Sequence, residues 1–305
     1  MAAHVMKTEV NRELVMNSIE FTHSAHAVRV ESGIAGLSKG QDVVIWGEGI
    51  NGISRWVMLN DGHGSYSVID FIKSIPLDKM TELICGTDPV RDLARFIDDS
   101  GCLKGPGDSS GATAVILRLY EDHMECISVG DSQYMVFVDN KLQHVSVEHT
   151  GFNEAERLRL SELKRGVSFV TSGNIKVISE TNMKQVWSWY ATWPNNTMLA
   201  CTQALGHSSK TGYAPDVQNF PLVPGSNFRF IMGSDGLFDM LVQTDTFQEI
   251  EFLTAKSCKE ICELAIGRWK QKWSVLDFSG NIQEVEFDSN GQDDVSVVVW
   301  DFAAT

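Results

Sequence analysis

The sequence predicts an antiparallel α+β fold built in layers, on three observations. Apolar runs of strand length recur along most of the chain; several are joined by turns too short for a crossover; and helical patterns arrive in blocks rather than after every strand. Locally paired strands with helices inserted in groups argue against a doubly wound parallel sheet. One domain is expected over residues 21–305, with residues 1–20 as a polar arm or short helix.

"AHAVRVESGI", "QDVVIWGEG" and "SRWVMLND" read as the opening strands, and "SYSVIDFIKSI" as the first amphipathic helix. Between the last two lies Asp61-Gly62-His63-Gly64. A tight turn needs Asp-Gly, since Gly tolerates positive φ and Asp bonds nearby amides. It needs neither His63 nor the second Gly. A helix, "DPVRDLARFIDDSG", follows, then "TAVILRLY" and "HMECISVGD" paired through "YEDH", then "QYMVFVD" and "LQHVSVEH" paired through "DNK". "FNEAERLRLSELK", "LFDMLVQ" and "KSCKEICELAIGRWKQK" carry helical spacing, while "FRFIMGSD" and "DVSVVVWDF" are strands. Residues 182–200 break this rhythm, with Trp187, Trp189 and Trp193 crowded beside Pro194. That stretch reads as a locally packed lid, with a protein-partner surface over 186–197 as the alternative. Asn195-Asn196-Thr197 matches a glycosylation acceptor, which is discounted because no secretory signal is evident.

With 43% hydrophobic and 21% charged residues, the 305-residue chain can bury a core without staples. Its net charge of −15 excludes a general nucleic-acid surface and would repel phosphorylated substrates unless cations mask it. Six cysteines without a CxxC pair argue against zinc and against a disulfide framework, and fit a reducing cytoplasmic or nuclear compartment. No apolar run reaches membrane-spanning length, the polar start lacks a signal-peptide core, and nothing demands more than a monomer.

Three motifs fail on context. "GEGING" is followed by a strand where a dinucleotide fingerprint needs a helix. "GDSSG" lacks the His and Asp setting of a serine protease. "DSNGQDD" has its Gly misplaced for a calcium loop and no closing Glu.

Aspartates at strand ends survive the same scrutiny. Asp42 opens a strand; Asp61, Asp131 and Asp235 close strands; Asp239 lies one helical turn beyond Asp235; Asp293 and Asp294 open the last strand. Singly, each fits a turn or a cap. Together on one rim they would repel, and carboxylates gathered so are normally held by cations. Oxygen-only ligands suit Mg²⁺ or Mn²⁺.

"VMLNDGHGS", "DSSGATAVILRLY", "ISVGDSQYMVFVDNKL", "FNEAERLRL", "IMGSDGLFDML" and "QDDVSVVV" occur in the order and spacing of the type 2C protein phosphatases, which the chain resembles over about residues 25–302. The resemblance implies a four-layer αββα fold, a β-sandwich of two antiparallel sheets flanked by helices. It implies a metal-dependent serine/threonine phosphatase acting on phosphoproteins, with two Mg²⁺ or Mn²⁺ ions and a third in some members. By similarity Asp61 bridges the two ions, the Gly62 carbonyl reaches one of them, and Asp235 and Asp293 are further ligands. Asp42 matches an aspartate acting through water, and Asp131 and Asp239 complete the third position with Asp235. A bridging hydroxide attacks phosphorus; His63 matches the general acid, and carboxylates nearby are expected to favour its charged form. Lys39 stands nearest to where members carry a phosphate-gripping Arg. Gln41 replaces a common Glu, and Leu205-Gly206-His207 replaces "LGD". The rival expectation is a catalytically silent member acting as a scaffold.

Overall fold

The computed structural model describes residues 4–7, 13–24, 26–103, 109–163, 166–173, 187–194, 197–207, 210–241, 248–276, 282–289 and 291–304. These form two six-stranded antiparallel sheets. The first runs His4–Lys7, Val43–Glu48, Arg55–Asn60, Ala114–Leu119, His123–Val129, Asp216–Pro221; the second runs Lys141–Val145, Gln133–Val138, Phe228–Gly233, Val295–Ala304, His26–Ala35, Val15–His23.

Central strands read as unbroken apolar runs because both their faces are covered. Along the first sheet Val44, Val57, Leu59, Val115 and Leu117 meet Val136, Phe230, Val298 and Trp300 of the second, forming the inner core. Their neighbours Val43, Ile45, Met58 and Ile116 point outward onto helices α1 (Ser67–Ser74), α2 (Leu77–Ile84) and α3 (Pro89–Ser100). Helix α4 (Glu154–Glu162) joins a smaller core of Leu160, Ala191, Trp193 and Leu199. On the far side, Met135, Phe137, Ile231 and Val297 pack against α5 (Asp235–Phe238) and α6 (Cys258–Lys270). The order of layers is therefore helix, sheet, sheet, helix, as expected.

The turns explain the register. Asp139 and Asn140, at φ +48° and +62°, give the left-handed pair that a tight hairpin needs between Val138 and Lys141. "GEGING" is likewise a hairpin turn between adjacent strands. Helix α3 begins at Asp88, whose carboxylate accepts from the Arg91 amide at 3.2 Å, with Pro89 next and Gly101 closing it at φ +71°.

Some expectations change. The first twenty residues hold strands, His4–Lys7 and Val15–His23, each hydrogen-bonded to a sheet edge, where a polar arm or helix was expected. The alternating exposure along Val15–His23 is what an edge strand with one wet face carries. Asp216–Pro221 and α2 are additions. "LFDMLVQ" is helical only through the short α5, and residues 242–243 lie outside the described residues. In the Trp-rich stretch, Trp193 is buried in the small core and the Arg157 guanidinium lies 4.8 Å over the Trp189 ring. Val186, Asn195, Asn196 and the Trp187 side chain fall outside the described residues.

Candidate metal centre

Asp61 closes the strand Arg55–Asn60, and Thr113 fixes it from both sides. The Asp61 amide donates to Thr113 Oγ1 at 3.1 Å, and its carbonyl accepts from the Thr113 amide at 2.9 Å. Thr113 Oγ1 also lies 2.6 Å from Ser132 Oγ, beside Asp131 at the start of a second-sheet strand. One threonine thus ties the rims of the two sheets together.

Across the rim, Asp42 is buried and accepts from Ser296 Oγ at 2.6 Å. Asp293 and Asp294 divide their work. Asp294 turns inward, accepting from the amides of Ser38, Lys39 and Gln41 at 3.1, 3.3 and 2.7 Å. Asp293 instead faces the rim, between the charges of Asp235 and Lys39. Asp235 opens α5, and Gly236 behind it leaves room for the Asp294 carbonyl, into which any Cβ would collide. Asp239 follows one turn on, its amide on the Asp235 carbonyl at 2.8 Å.

The electrostatics agree with this crowding. Burial first, then neighbouring carboxylates, push Asp42, Asp61 and Asp131 well above the usual carboxylate range, with Asp235 acting on all three. Burial and Asp235 raise Asp293 to about 7. Burial works against the Lys39 charge, but Asp293, Asp61, Asp235 and Asp294 outweigh it and raise its ammonium. Asp235 Oδ1 is a buried oxygen that receives no hydrogen bond among the described residues. Such an atom calls for a cation or a proton. Yet among the described residues no three Asp, Glu, His or Cys side chains are already gathered tightly enough to hold an ion.

Gly62 and Gly64 are both dictated by space. A Cβ on Gly62 would lie 2.9 Å from the Gln41 carbonyl oxygen, and Gly64, at φ +75°, abuts the Ser109 carbonyl. His63 pairs instead with His207, Nε2 to Nε2 at 2.7 Å, with Cys201 Sγ 3.7 Å from the same His63 nitrogen. Burial outweighs the pull of Asp235, with Lys39 adding to it, and lowers His63 to about 4. The expectation that carboxylates would keep it charged is therefore corrected. Desolvation wins. The Gln41 amide makes long contacts of 3.4 and 3.5 Å to the Gly64 and Ser65 carbonyls, so here it braces the loop.

Sequence reasoning missed the supports Thr113, Ser296 and Gly236. Of "GDSSG", set aside as a nucleophile motif, Gly107 and Asp108 lie outside the described residues, and Ser110 is structural. Ser110 Oγ accepts from the Val68 amide at 2.8 Å and donates to the Ser65 carbonyl at 2.6 Å, seating the start of α1.

The sequence profile of Protein phosphatase 2C matches residues 93–266, which include Asp131, Asp235 and Asp239. Protein phosphatase ppm-1.G of Caenorhabditis elegans is 26% identical over 177 residues, 56% of this chain and 33% of that protein. Protein phosphatase 2C 1 of Paramecium tetraurelia is 22% identical over 216 residues, 62% of this chain and 65% of that one. The chain thus spans less than two thirds of these relatives. A phosphatase from a pathogenic strain of Toxoplasma gondii shares the fold, with a TM-score of 0.60 at 13% identity over 96% of each chain. With more than half its length matched by the profile, the chain belongs to the protein phosphatase 2C family.

Proposed function

We propose that this chain is a metal-dependent protein serine/threonine phosphatase. The observation that carries the reading is the set of raised aspartates around a buried, unsatisfied Asp235 oxygen. That donor set fits hard divalent cations. Asp61, Asp235 and Asp293 with the Gly62 carbonyl would hold two ions of the Mg²⁺ or Mn²⁺ kind, Asp42 acting through water and Asp131 and Asp239 offering a further position. When bound, such ions supply water of lowered pKa and offset charge on the phosphoryl oxygens.

The chain's own groups do the rest. Lys39, at the exposed edge of the cluster, meets phosphoryl oxygens as a point charge. A departing serine or threonine alkoxide needs a proton, and His63 is the imidazole two residues from Asp61. Burial leaves His63 neutral before substrate arrives. A phosphomonoester brings negative charge, which raises an imidazole's pKa, so the proton enters with the substrate.

The test is phosphate release from a phosphothreonine peptide with Mn²⁺ or Mg²⁺, with chelator, and with Asp61→Asn. Metal-dependent release that falls at least ~100-fold in the variant supports the reading. A folded chain that releases nothing at millimolar metal is a scaffold. A variant retaining near-normal turnover removes Asp61 from the centre.

A further inference from the structure

The three short strands Gly62–His63, Gly111–Ala112 and Leu205–Gly206 form a small sheet at the edge of the centre, with Gly111 in the middle. His63 pairs with Gly111 in register from one side and Gly206 from the other. His207, the next residue, sits at φ +51° and is fully buried. For a residue with a Cβ that left-handed backbone is uncommon, though His adopts it more readily than most. There its ring meets that of His63.

The two rings lie 21° from coplanar with centroids 4.9 Å apart and Nε2 atoms 2.7 Å apart. A centroid lies ~1.1 Å from its own nitrogen, so these distances place the nitrogens nearly head-on, the geometry of an N–H···N bond. One nitrogen donates and the other accepts. Gly111 makes the meeting feasible: a Cβ there would collide with His207 Nε2 and lie 2.7 Å from His63 Nε2. The same head-on line leaves no angle for both nitrogens to chelate one ion.

We propose that His207 is a positioning residue for His63. Resting on the phosphatase reading above, the pair commits His63 Nε2 to His207 and leaves Nδ1 as the nitrogen that serves the leaving oxygen of an alkyl phosphate. A carboxylate at position 207 could only accept; an imidazole fixes the ring through either tautomer.

The experiment compares a phosphothreonine peptide with p-nitrophenyl phosphate, whose leaving group scarcely needs a proton. His207→Ala lowers kcat on the peptide by about 10- to 100-fold at unchanged KM, a loss at least ten times that on the aryl ester. His207→Asn, which can still donate to His63, recovers part of it. Gly111→Ala, which keeps both rings and forces them apart, gives the same selective loss. In a His63→Gln background His207→Ala adds no selectivity. Equal losses on both substrates, or additive losses in the double variant, overturn the proposal. Nitrogen NMR of the metal-free chain is the arm independent of activity. A coupling between the two Nε2 atoms, lost in His207→Ala, supports the pair, and its absence in the unmutated protein overturns it. An unmutated chain that hydrolyses neither substrate overturns the phosphatase reading instead, and the coupling still decides the pair.

Discussion

Asp294 accepts from backbone amides 253 to 256 positions earlier in the chain, while its neighbour Asp293 faces the charged rim. Adjacent identical residues differ here only in which side of the strand start they occupy. Asp294→Ala leaves three loop amides without their acceptor and should destabilise the chain by about 2–4 kcal/mol, read from urea unfolding. It should also weaken Mn²⁺ binding, because Asp42 follows the loosened loop. A variant as stable as the parent would show that the loop is held by something else. In sequence the pair was legible as two strand-opening aspartates. Their division was not, because both side-chain directions are compatible with "QDDVSVVV".

At the scale of elements, α5 brings Asp235 to the rim, though it is only four residues long. Packing places it, not propensity: Gly236 lets the helix start rest against the Asp294 carbonyl, and Leu237 locks into the core under the second sheet. Gly236→Ala should force helix and strand apart. The expected loss is about 1–3 kcal/mol in urea unfolding, with weaker cation binding by calorimetry. Unchanged calorimetry would mean that the position of α5 does not govern the centre. "IMGSDGLFDML" announces a strand, a cap and a helix, which is why this element could be expected. The reason for its glycine lies in a segment nearly sixty residues further on, which no local pattern contains.

At the scale of the molecule, the acidic surplus becomes a stability effect. Asp42, Asp61, Asp131 and Asp293 all sit above the ordinary range, so between the unfolded value of ~3.9 and about 7 the folded chain binds more protons than the unfolded one. Stability of the metal-free protein therefore falls as pH rises through that window. His63 and His149, lowered by burial, act oppositely up to ~6.5, but two imidazoles do not cancel four carboxylates. The urea midpoint should be lower at about pH 7.5 than at about pH 5.5, and millimolar Mg²⁺ or Mn²⁺ should flatten the slope. A midpoint that climbs over this range in the metal-free chain would contradict the clustering of charge.

The sequence by itself determined the layers and the rim. Apolar runs fix which segments are strands, short turns fix that neighbours pair antiparallel, and aspartates at strand ends must arrive at one edge once the strands stack. Those are local rules of period and turn geometry. Only the tertiary structure decided which aspartate is a ligand candidate and which a clamp, that Thr113 ties the two sheets, and that desolvation discharges His63. It also decided that His207 meets His63 across Gly111. Each of these depends on distances between residues far apart in the chain. Burial and charge act through space, and the one-dimensional order does not carry them.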